Sequence, residues 1–192
     1  MRSGKAPDLD VARFNVGILN LEPICVLVLC TDQTPKNSVH SASCRSDTGI
    51  RCTEADQGNL PEALKSFRDG LAIRERLAQA DPGTAGWQRD LSVSYERVGD
   101  VLVAQGNLPE ALKSFRADLA IAERLAQSDP GNAGWQFDLV VSHWKLAANG
   151  DDAARRFAFI VAALRKLKAE NRLTPAQERL LPQAEAELAK TR

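Results

Sequence analysis

The sequence predicts an all-α fold, an antiparallel helix-pair solenoid ending in a C-terminal capping helix. Three observations carry this expectation. A block of 38 residues beginning at Gln57 returns 48 positions later, from Gln105, with seven changes. Self-similarity at a fixed period marks units that bury their apolar faces against one another. Within each copy the apolar residues recur at helical spacing: Leu60, Ala63, Leu64, Phe67, Leu71 and Ala78, flanked by Ile73 and Leu77, and again from Leu108 to Ala126. Each stripe is also bracketed by helix-start and helix-stop residues at matching places.

Pro61 and Pro109 sit in the first turn, where a missing amide hydrogen costs nothing and the fixed φ is already helical. The first helix therefore runs from Pro61 to Ala80, and its copy follows from about Leu108. Asp81-Pro82-Gly83 and Asp129-Pro130-Gly131 end these helices with residues that favour turns. A second helix runs from about Trp87 to Ala104 and stops at Gln105-Gly106-Asn107. Each copy thus contributes two antiparallel helices of roughly five turns. After Trp135 the pattern continues to about Ala148, and Gly150-Asp151-Asp152 arrives four positions early relative to the preceding unit. Residues 153–170 form a diverged partner helix. Thr174-Pro175-Ala176-Gln177 combines an N-cap, a first-turn proline and a capping-box glutamine, so residues 175–190 read as the terminal capping helix, kinked or split at Pro182.

On these residues the chain resembles the tetratricopeptide repeat family, a helix-turn-helix solenoid of about 34 residues per unit. Tyr95, Val98, Gly99 and Leu102 match the family's aromatic, apolar, small, apolar pattern, and Gly106, Leu108, Ala111 and Phe115 match its turn and second-helix positions. The resemblance covers about residues 57–150. Two departures stand out: Asp118 occupies a position where the family prefers a small residue, and Pro130 comes seven positions late. The 48-residue period exceeds the usual one by roughly 14 residues, about two turns in each helix, which leaves the packing stripes in register. The resemblance implies a non-catalytic scaffold that holds a protein or peptide, with the first helix of each unit lining a concave groove.

Residues 1–56 are of a different character. All four cysteines (Cys25, Cys30, Cys44, Cys52) lie within them, and all three tryptophans (Trp87, Trp135, Trp144) lie beyond. Counting back 48 residues from Trp87 reaches Val39, in a stretch with neither the aromatic nor the helical stripe. We therefore divide the chain into an N-terminal segment, 1–56, either poorly ordered or an atypical cap built on Ile18 to Leu29, and a repeat domain, 57–192. The apolar stretch from Phe14 to Cys30 is interrupted by Asn20, Glu22 and Pro23, too early to span a bilayer. It is also a poor leader, because Asp8 and Asp10 dilute the basic flank and no small-x-small cleavage site follows, so a cytoplasmic location is expected. Lys and Arg total 25 against 25 for Asp and Glu. No net field draws such a chain to nucleic acid or to an anionic membrane.

Candidate chemistry is sparse. Cys25, Cys30, His40, Cys44 and Cys52 include donors that suit tetrahedral zinc, but their spacing lacks paired CxxC knuckles, so free cysteines and no metal are expected. Ser142, His143 and Asp138 formally supply a nucleophile, a base and a carboxylate. On a helix, however, Ser142 and His143 point about 100° apart, and His143 falls at the packing position of Tyr95. No phosphate loop, nucleotide fingerprint or metalloprotease motif occurs, so neither a cofactor nor a catalytic residue is expected. Arg155, Arg156, Arg165, Lys166, Lys168 and Arg172 make the densest basic region and read as a solvated face, since no aromatic residues interleave with them.

The differences between the copies are more informative. Arg89, Ser92, Glu96 and Asp100 become Phe137, Val140, Trp144 and Ala148, at steps of three, four and four. They share one helix face, which changes from charged to apolar. The resemblance makes this the groove face, with Glu96 and Asp100 at groove-lining positions. Candidate partner-binding residues are Arg89, Glu96, Asp100, Phe137, Val140 and Trp144. The competing reading, which we favour for Trp144, folds the C-terminal helix over Phe137 and Trp144 and closes the solenoid. A scaffold for a protein or peptide partner is the expected function. The alternatives are self-association through the unmatched first helix and a zinc- or thiol-dependent enzyme built on the N-terminal cysteines.

Overall fold

The computed structural model describes residues 59–191. The N-terminal segment 1–56, and with it the cysteine and His40 donor set, lies outside the described residues. Seven helical segments follow in order: α1 (Leu60–Ala80), α2 (Ala85–Ala104), α3 (Leu108–Ser128), α4 (Ala133–Ala148), α5 (Ala153–Ala169), α6 (Pro175–Glu178) and α7 (Leu180–Lys190). No strand occurs among the described residues.

The local signals act where the sequence puts them. Asn59 and Asn107 cap α1 and α3, each accepting the backbone N–H of the glutamate three residues on, at 3.4 and 3.5 Å. Asn132 caps α4 more tightly, through Trp135 N at 3.1 Å. Its counterpart Thr84 makes no cap bond, and its hydroxyl donates to Asp81 Oδ2 at 2.5 Å instead. Helix α2 closes with Gly106 at φ +75°: Asn107 N donates to Leu102 O at 2.8 Å and Gly106 N to Val103 O at 2.9 Å. This six-to-one, five-to-two closure needs a left-handed residue, which glycine supplies without strain. Gly150 ends α4 in the same way, and Asn171 (φ 54°) does so for α5.

Helix α2 packs against both α1 and α3, α3 against α4, α4 against α5, and α7 against α5. A core forms where the two copies meet, from Leu64 of α1, Val98, Val101 and Leu102 of α2, Ala111, Phe115 and Leu119 of α3, and Leu146 of α4. Gly99 permits the closest approach. A Cβ there would lie 2.7 Å from Phe115 Cδ1 and 2.8 Å from Cζ, with Cε1 nearer still. Phe115 is fully buried and has little room to move. Gly99→Ala is therefore expected to destabilise the chain by roughly 1–3 kcal/mol despite the better helix propensity of alanine. A urea melt no weaker than that of the parent would show that the α2–α3 contact yields.

The C-terminal helix breaks at Arg179, three residues before Pro182 rather than at it. A proline ring clashes with the carbonyl four residues earlier, here that of Glu178, so the chain ends α6 there and restarts with Pro182 in the first turn of α7. The capping box forms as expected: Gln177 N donates to Thr174 Oγ1 at 3.3 Å and Thr174 N to Gln177 Oε1 at 2.9 Å.

Candidate partner-binding surface

Helices α2 and α4 stand one period apart and are joined by a ladder of ion pairs. Arg89 of α2 grips Asp138 of α4 with two bonds, Nε to Oδ2 at 2.6 Å and Nη2 to Oδ1 at 3.2 Å. Two turns further along α4, Lys145 Nζ donates to both carboxylate oxygens of Asp100, at 2.7 and 2.8 Å, and lies 3.4 Å from Glu96 Oε1. Burial raises the Glu96 carboxyl above its ordinary range, and Lys145 works against that rise. Arg89 moves in the stabilised direction, its pKa raised chiefly by the hydrogen bond to Asp138. The three polar candidates thus come together on one ridge, each with a charged partner from the next unit.

The three apolar candidates lie elsewhere in depth. Phe137, Val140 and Trp144 are all buried. The ring that meets Trp144 is Phe157 of α5, edge to face with centroids 5.4 Å apart and planes at 88°. It comes from the diverged partner helix, and the terminal helix α7 packs on α5 in turn.

The tetratricopeptide repeat family model matches residues 52–82 and 91–130. These stretches are tetratricopeptide repeats. No curated protein and no solved structure matches the chain. Tetratricopeptide repeats generally mediate protein–protein interaction and are typically non-catalytic. No helix among the described residues is long and apolar enough to cross a membrane.

Within the repeat frame the unusual residue is Asp118. It is 3% exposed, and it stands where the first copy has Gly70. Ser92 donates to its Oδ1, while Oδ2 has no hydrogen-bond partner among the described residues. Burial pushes this carboxyl up to about 7; the Ser92 bond opposes that, and the negative charge of Glu96 adds to it.

The formal Ser-His-Asp set does not assemble in the helical array. Ser142 Oγ donates to the Asp138 carbonyl at 3.1 Å, and the Asp138 carboxylate is held by Arg89. His143 stacks on Phe159 with centroids 4.1 Å apart, and its Nδ1 lies 3.2 Å from Arg156 Nη1. An arginine can only donate, so Nδ1 is the unprotonated nitrogen. Burial first, then Arg156, lowers His143 to about 4. Its counterpart Tyr95 donates to Glu75 Oε1 at 2.7 Å, tying α2 to α1, and burial together with that bond pushes the phenol up to about 12.

The basic region is largely paired. Arg165 meets Glu185 at 2.7 Å, Lys168 meets Glu178 at 3.2 Å, and Arg172 meets both Glu170 and the Gly131 carbonyl. Arg156 and Arg116 share Asp151, whose carboxyl is held below the usual range chiefly by its Arg116 bond. Sequence reasoning missed Asp138 and Lys145 as the partners of Arg89 and Asp100. The signal was present, because opposite charges 49 and 45 residues apart sit about one period from each other.

Proposed function

We propose that this chain is a non-catalytic scaffold whose tetratricopeptide repeats hold a protein or peptide partner on the α2–α4 face. Arg89, Glu96 and Asp100 meet the partner, with Phe137, Val140 and Trp144 setting the rigidity of the surface from beneath. The observation that carries this reading is the ion-pair ladder. Arg89 and Asp100 remain partly open to solvent although both are already fixed by partners one unit away. Side chains ordered in advance lose less conformational freedom on binding. A cytoplasmic site of action belongs to the same reading.

Peptides selected from a displayed random library on the full chain test it. Arg89→Ala and Asp100→Ala are each expected to weaken the selected peptides by about tenfold, equivalent to about 1.4 kcal/mol, while Arg165→Ala on α5, whose partner is Glu185 of α7, leaves them unchanged. Selected peptides indifferent to Arg89→Ala and Asp100→Ala would place the ligand on another face.

Self-association is a second reading, favoured by one observation: Ile73 and Leu77 of α1 are exposed.

A further inference from the structure

Helices α1 and α3 differ at only four of 21 positions, yet one stripe of each has a different fate. Ile121 and Leu125 of α3 are 5% and 7% exposed, whereas their counterparts Ile73 and Leu77 are 52% and 38% exposed. Helix α3 lies between α2 and α4, while α1 packs chiefly on α2. Among the described residues the fold therefore leaves open on α1 an apolar stripe that it covers on the near-identical copy. Isolated exposed apolar residues are ordinary; a pair one turn apart on a helix, with a buried duplicate in the same chain, is a candidate contact surface.

We infer that this stripe joins two copies of the chain, α1 lying antiparallel to α1 about a two-fold axis. The inference rests on the self-association reading above and names its interface. Asp69 and Arg76 supply the argument for a second copy as the occupant. Both are exposed, and they stand seven residues, or two turns, apart along one edge of the stripe. An axis crossing α1 between Ala72 and Ile73 sets Asp69 opposite Arg76 of the second copy and Arg76 opposite Asp69 of the second copy. One surface thus provides both halves of two ion pairs, which is the self-complementarity that a two-fold contact requires. A parallel arrangement would instead set like charges together.

Both groups are available for this pairing. Among the described residues neither forms an ion pair, and Arg76 Nε donates only to Ala72 O at 3.2 Å. Asp69 is also one of the four differences from α3, which has Ala117 beside its covered stripe. The carboxylate is present on the copy whose stripe is open and missing from the copy whose stripe is filled. The equal numbers of acidic and basic residues leave no net repulsion between copies. The same axis sets Ile73 beside Ile73 of the second copy and leaves Leu77 at the margin of the contact, opposite Arg68, so the contact is small and the dimer a weak and reversible one.

Sedimentation equilibrium of the full chain, from micromolar to millimolar concentration, tests the interface. A reversible monomer–dimer equilibrium is expected. Asp69→Arg and Arg76→Asp should each weaken it roughly tenfold, because each removes two symmetry-related pairs and creates repulsion. The double variant, with the charges exchanged, should recover most of the parent affinity, and Ile73→Glu should abolish dimerisation. All of these positions are exposed, so the thermal melts of the monomers should match that of the parent. A parent chain that stays monomeric throughout the range overturns self-association itself. A parent dimer indifferent to Asp69→Arg and Ile73→Glu overturns α1 as the interface and leaves self-association standing at another surface.

Discussion

Replacing Trp144 with alanine is expected to destabilise the chain by roughly 3–5 kcal/mol, the range for deleting a large buried aromatic side chain. The indole is buried and packs edge to face on Phe157, so the change removes dispersion contacts across the α4–α5 junction and leaves a cavity that two long helices cannot easily collapse. Ordinary domains hold only about 5–15 kcal/mol in total, so the loss is a large share of the whole. A lower urea midpoint with an unchanged slope is the expected signature. Glu96→Ala, at the equivalent position one unit earlier, is the control and should cost less than about 1 kcal/mol, because Lys145 keeps Asp100. If Trp144→Ala melts like the parent, the ring is not holding α4 to α5, and Phe137, Val140 and Trp144 become the partner-binding surface.

The second large effect depends on pH. The Asp118 carboxyl titrates at about 7 in the fold, against an ordinary 3.8. Between those values the folded chain holds a proton that the unfolded chain has lost, so stability falls as pH rises through the window and is flat above it. The full effect is on the order of 4 kcal/mol. His143 acts in the opposite sense. Its folded value of about 4 lies below the ordinary 6.5, so the unfolded chain gains the proton first and stability is lost as pH falls from the ordinary value toward the folded one. That side chain is only half-buried, so solvent weakens its contribution. The parent should therefore lose stability between about pH 5 and about pH 8, less steeply than Asp118 alone dictates. Asp118→Ala removes the falling component and is expected to be more stable than the parent by roughly 1–3 kcal/mol at about pH 8, since an unsatisfied buried carboxylate is gone. Melts of both chains at the two pH values decide the matter. An alanine variant with the parent's pH slope would show that Asp118 is not the group titrating.

The helices, their ends and their order were legible in the sequence because each depends on neighbours a few residues away. The stripe from Leu60 to Ala78, the first-turn Pro61, the Gly106 stop and the Thr174 capping box are local statements about backbone geometry, and repetition at 48 residues makes the statements of the stripe and the helix-start proline twice over. Repetition also forces adjacent units to pack alike, which is why the repeat architecture itself could be read from one chain. Only the tertiary structure could decide what the near-identical helices do with their side chains. Leu77 and Leu125 have nearly the same sequence context yet differ in exposure, because among the described residues α3 has a helix on each side where α1 has chiefly α2. Asp118 stands out in sequence as an acid at a small-residue position, but only the packed helices bury it and bring Ser92 of α2 to its carboxylate. Trp144 is buried, as favoured from the sequence, but Phe157 of the diverged partner helix α5 meets its ring where the C-terminal helix was expected to. Burial and charge pairing are sums over groups distant in sequence, and those sums exist only once the helices have been placed side by side.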